Sequence, residues 1–334
     1  MAELQNVFSW SKSRDEQFRE CKRKYYYDKY ASWGGWESGA VPLTRSAYVL
    51  KNLKNRWAWK GEVVHHLVEN VLKTLRSGRS VSPEGALAEL TETMRRDFRS
   101  SKARRHWEDP KRNMGLFEHE YARTMTDDAW RQVHDGAAEC LRNFFGSAFY
   151  AELVIDDKSQ WLVIEDLEEF EFGGAKIYVK LDFARRKDGL VHIYDWKTGK
   201  NDAVAARVQI GAYAIYAMRR WKVPLESVRA YLVNLGKPDP RPDLQALDAA
   251  LIAETEGVMS QSILAMRALL ADPARNVPKP PAEFGFTTDP RACDFCSFQK
   301  ICEKFVNPSS ITLPSGPGAV SSPRPSGRRA SRAS

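Results

Sequence analysis

Hydrophobic positions along this chain repeat first at helical spacing and later at strand spacing. Val63, Val64, Leu67, Val68, Val71, Leu72 and Leu75 recur every three or four residues, which predicts a helix over about Arg56–Ser77. Ser13 with Glu16 reads as a capping box inside an earlier predicted helix, about Ser9–Tyr30. Helical patterns continue through Pro83–Arg99 and about His119–Tyr150. From Trp161 to Lys197 the period shortens to two, predicting strands Trp161–Leu167, Lys176–Ala184 and Val191–Lys197, the last two flanking a turn at Lys187-Asp188-Gly189. A helix at Ala203–Trp221, a strand at Arg229–Leu235 and a long helix at about Gln245–Ala271 follow. Pro273–Phe286 reads as irregular, and a compact cysteine segment closes the folded part. This order predicts an α/β fold: a mixed sheet core flanked by helices, with an N-terminal all-helical insertion at about 78–155.

Composition changes that picture little. The 334 residues are 43% hydrophobic and 28% charged, an ordinary globular balance. No apolar run approaches the roughly 18 residues that span a bilayer. Met1–Glu20 is polar and lacks the core of a signal peptide, so a soluble, cytoplasmic chain without a membrane partner is expected. The net charge is +8, and half of it comes from Arg324, Arg328, Arg329 and Arg332 in the acid-free stretch 307–334. That stretch is rich in Ser, Pro, Gly and Ala and predicts a disordered basic tail. Both a solubilising role and non-specific contact with nucleic acid fit it.

The chemistry concentrates in Tyr194-Asp195-Trp196-Lys197-Thr198-Gly199-Lys200. Strand alternation puts Asp195 and Lys197 on one face and Tyr194 and Trp196 on the other. A carboxylate holding a hard divalent ion beside an ammonium that orients water suits phosphodiester hydrolysis. Asp182, towards the end of the preceding strand, converges on the same ion if the hairpin register brings the two strand ends together. An exposed ion pair would explain Asp-x-Lys on its own. His65 and Glu69 share a helix face, as do Gln209 and Tyr213, four residues apart in each case. His65 suits Mn²⁺ or Mg²⁺ with water better than a closed zinc site, and His66 is its neighbouring competitor. Gln209 and Tyr213 also read as a buried amide–phenol pair.

In these motifs the sequence resembles the PD-(D/E)xK nuclease superfamily, specifically the RecB-like branch with an iron–sulfur cluster. That branch includes the AddB C-terminal nuclease and the CRISPR-associated exonucleases. The resemblance runs over about residues 8–305. It rests on Gly61, His65 and Glu69 on one helix, Asp182 ending a strand, Asp195 to Gly199, and Gln209 with Tyr213. It implies a restriction-endonuclease-like core within a nuclease domain over 1–306. His65, Asp182, Asp195 and the Trp196 carbonyl would ligate Mg²⁺ or Mn²⁺, and Lys197, Gln209 and Tyr213 would complete the catalytic set.

Five cysteines in such a chain do not argue for disulfides. Cys293, Cys296 and Cys302 form C-x2-C-x5-C within a segment spanning 287–306, and Cys21 lies far upstream. Four thiolates suit [4Fe–4S] or tetrahedral zinc, and the residues alone leave both open. The resemblance implies [4Fe–4S], a four-cysteine cluster joining the termini. Cys140, within apolar Ala137–Phe145, reads as a core residue.

Two basic stretches could hold DNA. Lys22, Arg23 and Lys24 precede Tyr25, Tyr26 and Tyr27, a mixture able to grip phosphates and stack bases. The tyrosines could equally pack around the cluster. Arg104 and Arg105 lie in Met94–Asn113, which carries eight Lys or Arg against three acids. That stretch reads either as the roof of a DNA channel or as a solvated helix face. No P-loop motif is present, so a stand-alone nuclease or the partner of a helicase or other nucleic-acid-processing subunit is expected. Together with the resemblance, this implies a metal-dependent DNA exonuclease acting on single-stranded ends in repair, recombination, CRISPR adaptation or phage DNA processing. The rivals are a non-catalytic DNA-binding scaffold and an RNA-directed nuclease.

Overall fold

The first element among the described residues is a short strand, not the start of a helix. In the computed structural model, which describes residues 4–199, 203–307, 311 and 313, β1 is Ser9–Trp10. Lys200 and nearly all of the expected tail, including Arg324, Arg328, Arg329 and Arg332, lie outside the described residues. Ser11, rather than Ser13, caps α1 (Lys12–Glu20) by accepting the Arg14 N–H at 3.3 Å. The expected helix over 9–30 is divided at Cys21, whose backbone is extended, before α2 (Lys22–Tyr26) and a wide turn to Ala31. A helix with no clear periodic signal, α3 (Pro42–Leu50), begins on a proline in its first turn, where the missing N–H costs nothing.

α4 (Arg56–Arg76) forms where expected, with Asn55 Oδ1 accepting the Ala58 N–H at 2.9 Å. Its valine and leucine stripe is buried, each such side chain worth about 1.5–3 kcal/mol. α5 (Pro83–Lys102) packs beside it. The helix expected over 119–150 is three pieces: α6 (Phe117–Glu120), α7 (Asp127–Gly146) and α8 (Ala148–Ile155). Thr126 and Ser147 adopt extended backbone and cap α7 and α8 with their hydroxyls, which stops one helix and starts the next.

The sheet contains β2 (Trp161–Phe172), β3 (Ala175–Lys187), β4 (Leu190–Lys197), β5 (Val228–Asn234) and β6 (Asp243–Gln245). α9 (Ala203–Trp221) crosses from β4 to the parallel β5, and α10 (Ala249–Arg267) packs on α9. β7 (Leu270–Asp272) and β8 (Val277–Pro278) pair separately. One edge of β3 pairs with β2. The other pairs with β1 at Lys176–Ile177 and with β4 only from Phe183 to Lys187. Between those two contacts β3 and β4 part, and the site lies in that opening.

Each sheet face has its own core. Ile177, Val179, Leu181, Val191 and Ile193 pack under α9 and α10, while Phe183, Tyr194 and Trp196 pack with α4, α7 and α8. A smaller cluster joins Tyr27 and Leu50 to Phe298 and Ile301 of the cysteine segment. This is a mixed α/β architecture with a central mixed sheet flanked by helices. No helix among the described residues is long and apolar enough to cross a membrane.

Candidate active site

β3 and β4 leave a turn at Asp188 and Gly189, both left-handed at φ +52° and +76°, as a two-residue hairpin requires. They stay paired as far as Phe183 and Tyr194. One step further Asp182 Oδ2 accepts the Trp196 backbone N–H at 2.7 Å. A side-chain carboxylate thus takes over from the ladder at the point where the strands separate.

On β4 the alternation is as expected. Asp195 and Lys197 face α9, while the Trp196 indole is buried and stacks near-parallel to Phe183 and Tyr194. Lys197 Nζ lies 2.6 Å from Asp195 Oδ2 and 3.3 Å from Gln209 Oε1. The Gln209 amide donates to Asp195 Oδ1 at 3.0 Å and to the Tyr213 hydroxyl at 2.6 Å. That hydroxyl has one proton and two acceptors in reach, the Lys180 carbonyl at 2.7 Å and Asp195 Oδ1 at 3.1 Å. Burial, reinforced by the charges of Asp195 and Asp182, pushes the Tyr213 phenol well above its ordinary range and keeps it a donor. So Asp195, Lys197, Gln209 and Tyr213 form one hydrogen-bonded unit.

The other half comes from α4 and β2. His65 Nδ1 is 3.0 Å from Glu165 Oε1 and 3.4 Å from Asp182 Oδ1. Ile164 pairs with Phe183 and Asp166 with Leu181, so Glu165 stands across from Asp182. Glu165 has φ +54°, a left-handed residue inside a strand, a conformation that costs about 1–3 kcal/mol and concentrates at functional sites. It breaks the two-residue alternation, so Ile164 and Glu165 both reach the α4 side: Ile164 in its core, Glu165 against His65. Lys180 Nζ closes the group, 2.7 Å from Glu165 Oε2.

Burial pushes the Asp182 carboxyl up to about 6; His65 opposes the rise and Asp195 adds to it. Burial works against charge on His65, but Asp182 and Glu165 outweigh it and hold the imidazole well above its usual range. Burial would raise Glu165, yet His65 and Lys180 bring it down. The pocket therefore favours a cation. One donor atom from each of His65, Glu165 and Asp182 lies within 4.8 Å of the others. Two buried carboxylates and an imidazole suit a hard divalent ion that keeps its remaining positions for water or phosphate oxygens.

Gly61 explains the spacing that sets His65. A Cβ there would meet Thr198 Oγ1 at 3.2 Å, and the neighbouring Lys60 donates to the Thr198 carbonyl at 2.8 Å. α4 thus sits on the chain just beyond Lys197, and His65 enters one turn later, whereas His66 is exposed. Glu69 does not join it. Its carboxylate pairs with Lys73 at 2.6 Å and lies 3.5 Å from His66. A cavity of about 610 Å³ opens over His65, lined by Lys54, Gly61, Glu62, His66, Glu69 and Lys180. A second, of about 600 Å³, lies across Lys180 against α1, Gln209 and Tyr213.

The cysteine segment docks on the helix and turn that follow Cys21. Arg23 N–H donates to the Gly285 carbonyl, and Tyr27 donates to the Ile301 carbonyl at 3.0 Å. Burial pushes the Cys296 thiol up to about 11, with Cys21 and Cys302 contributing. Cys302 is raised too, by burial and then Glu303 and Cys21. Cys293 precedes in a tight turn, its carbonyl accepting the Cys296 N–H at 3.2 Å. Cys140 is buried in the helical core, as expected.

Of the residues expected to touch DNA, Arg23 is turned inward and must be reassigned. It is 5% exposed, donates to the Phe284 and Pro281 carbonyls, and pairs with Glu303 at 2.5 Å. Tyr25 and Tyr27 are core residues. Lys24 pairs with Glu20 at 2.6 Å and Arg104 with buried Glu120 at 2.9 Å. Lys22 and Arg105 are exposed. Glu165 and Lys180 were missed as site residues. Glu165 was visible as the first acid after an apolar strand run, but its left-handed backbone was not.

A model of the PD-(D/E)XK nuclease superfamily matches residues 9–303. Among solved structures, a candidate exonuclease from Eubacterium rectale is 12% identical, with 78% of this chain and 79% of that one covered, at a TM-score of 0.38. SSO0001 is 18% identical over 57% of this chain and 80% of its own, at a TM-score of 0.27. Likenesses that weak say nothing of this chain's role. No curated protein matches the sequence.

Proposed function

The chain belongs to the PD-(D/E)XK nuclease superfamily, and on that premise we propose that it is a divalent-metal-dependent deoxyribonuclease of the RecB-like branch, working from free single-stranded ends. One observation carries the reading. The unit of Asp195, Lys197, Gln209 and Tyr213 faces the same strand opening as the ion-sized group of His65, Glu165 and Asp182.

His65, Asp182, Asp195 and the Trp196 carbonyl, joined by Glu165, would hold Mg²⁺ or Mn²⁺. Bound there, the ion would polarise a phosphate oxygen and ease deprotonation of water. Lys197 orients the attacking water. Its oxygen bonds to phosphorus as the P–O3′ bond breaks, and the departing 3′ oxygen takes up a proton. Gln209 and Tyr213 are positioning residues that hold Asp195 and the Lys197 ammonium in register.

Cys21, Cys293, Cys296 and Cys302 would bind a [4Fe–4S] cluster. The docking of Arg23 and Tyr27 onto the C-terminal cysteine segment supports this, since it brings the chain next to Cys21 to the segment that carries the other three thiols. The same reading takes 1–306 as the nuclease domain, 78–155 as its insertion, 287–306 as the cluster segment and 307–334 as a tail. It also places the protein in the cytoplasm, beside a helicase or another nucleic-acid-processing subunit, with Lys22 and Arg105 touching DNA.

The test uses protein purified without air. It should show visible iron–sulfur absorption and shorten end-labelled single-stranded DNA progressively with Mg²⁺ or Mn²⁺. A colourless zinc protein would overturn the cluster assignment, and faster loss of RNA than of DNA would overturn the substrate.

A further inference from the structure

Two aromatic side chains stand in solvent beside the cavity that holds His65. Trp57, in the first turn of α4, is 51% exposed, and Phe295, between Cys293 and Cys296, is 45% exposed. Their rings meet edge to face, centroids 5.3 Å apart at 70°. The Arg56 guanidinium lies 3.6 Å over the indole. It is fixed from behind by buried Glu118, whose Oε1 accepts both the Arg56 side chain and its backbone N–H at 3.1 Å. Phe295 in turn rests against Phe117.

We propose that Arg56, Trp57 and Phe295 form a stacking platform for the unpaired bases of single-stranded nucleic acid entering the active-site cavity; this rests on the nuclease reading of that cavity. Three features select that occupant. The platform lies next to the site, because Lys54 and Gly61, three residues before Trp57 and four after it, line the same cavity as His65. Trp57 and His65 lie eight residues apart on one helix, about 12 Å of rise, a distance that a few nucleotides of an extended single strand can bridge. The surroundings carry three cations, Lys54, Arg56 and Arg123, against three acids, Glu62, which pairs with Lys54 at 2.9 Å, exposed Asp294, and the buried Glu118 behind Arg56, so guanidinium faces rather than net charge supply the attraction. Aromatic faces beside fixed guanidinium groups bind bases whatever their sequence, and only where those bases are unstacked. The platform therefore prefers single strands. It also gives the cysteine segment a substrate contact, since Phe295 belongs to that segment.

Anisotropy of a fluorescent oligothymidylate, measured on the full chain in EDTA so that no cleavage intervenes, tests this. Trp57→Ala and Phe295→Ala should each weaken single-strand binding on the order of 10-fold, and Trp57→Phe should retain most of the affinity. Duplex binding should not change, and Leu264→Ala, an exposed apolar change on α10, should bind as wild type. Phe295→Leu keeps the apolar contact with Trp57 and Phe117 but removes the π face, so it covers the case of an alanine variant that fails to fold. It too should bind more weakly. Folded Trp57→Ala or Phe295→Leu protein binding single strands like wild type overturns the platform. If Asp195→Ala cleaves normally while the platform variants lose binding, the nuclease reading fails and the platform stands.

Discussion

Glu120→Gln reaches furthest into how α6 and the cysteine segment are joined. The Glu120 side chain has no exposed surface. Its Oε2 accepts from His106 Nε2 and Trp107 Nε1, each at 2.9 Å, and its Oε1 meets Arg104 at 2.9 Å and Lys300 at 2.5 Å. Lys300 lies between Cys296 and Cys302, so this carboxylate ties α6 to the cysteine segment. Burial alone would raise Glu120, but His106, Lys300 and Trp107 outweigh it and hold the carboxyl at about 2 instead of 4.5. That difference corresponds to roughly 3 kcal/mol of linkage. Arg104 and Lys300 are 44% and 40% exposed, so screening reduces it to about 2 kcal/mol. Because the folded value is depressed, this stability is present above pH 4.5 and disappears as pH falls towards 2. In urea titrations followed by circular dichroism, Glu120→Gln should unfold about 2 kcal/mol more easily at neutral pH. The gap to wild type should close as the titrations move down towards about pH 3. Equal stabilities at neutral pH, or a gap that does not narrow in acid, would refute the reasoning.

Two further substitutions probe other parts of the structure. Gly211→Ala would place a Cβ 2.0 Å from Thr255 Oγ1, where α9 crosses α10. Alanine's helix preference offers about 1 kcal/mol and overpacking costs about 1–3, so the melting temperature should fall, and adding Thr255→Ala should recover part of it. Glu165→Gln removes one charged donor from the His65 group, and calorimetry should show Mn²⁺ binding weakened at least ~10-fold. Unchanged affinity would remove Glu165 from the ligand set.

The sequence pattern reached α4, β4 and α9 closely: α4 repeats one apolar stripe, β4 alternates between two sheet faces that each have a core, and α9 is long and apolar enough to read as a helix. Alternation alone placed Asp195 with Lys197 and turned Trp196 into the core. Spacing selected His65 over His66, for a reason that became visible only where Gly61 meets Thr198. Other features depend on tertiary context. Cys21 divides a helix that local propensity would continue, because Arg23 and Tyr27 are drawn onto the C-terminal segment. A run of cations cannot reveal which are already engaged, so Arg23 read as a surface charge although its guanidinium serves internal carbonyls. Glu69 met the helical spacing, but Lys73 on the next turn holds it. Glu165 enters the site through a left-handed backbone, which no hydrophobic pattern encodes.

The most direct test is cleavage of end-labelled single-stranded DNA by wild type and by folded Asp195→Ala protein, each with Mn²⁺ and with EDTA. Wild type should degrade the strand only with the metal, and Asp195→Ala should be slower on the order of 10³-fold, the scale of several kcal/mol of lost transition-state stabilisation. Equal DNA loss from both proteins, or loss that persists in EDTA, would contradict a metal-dependent site centred on Asp182, Asp195 and Lys197.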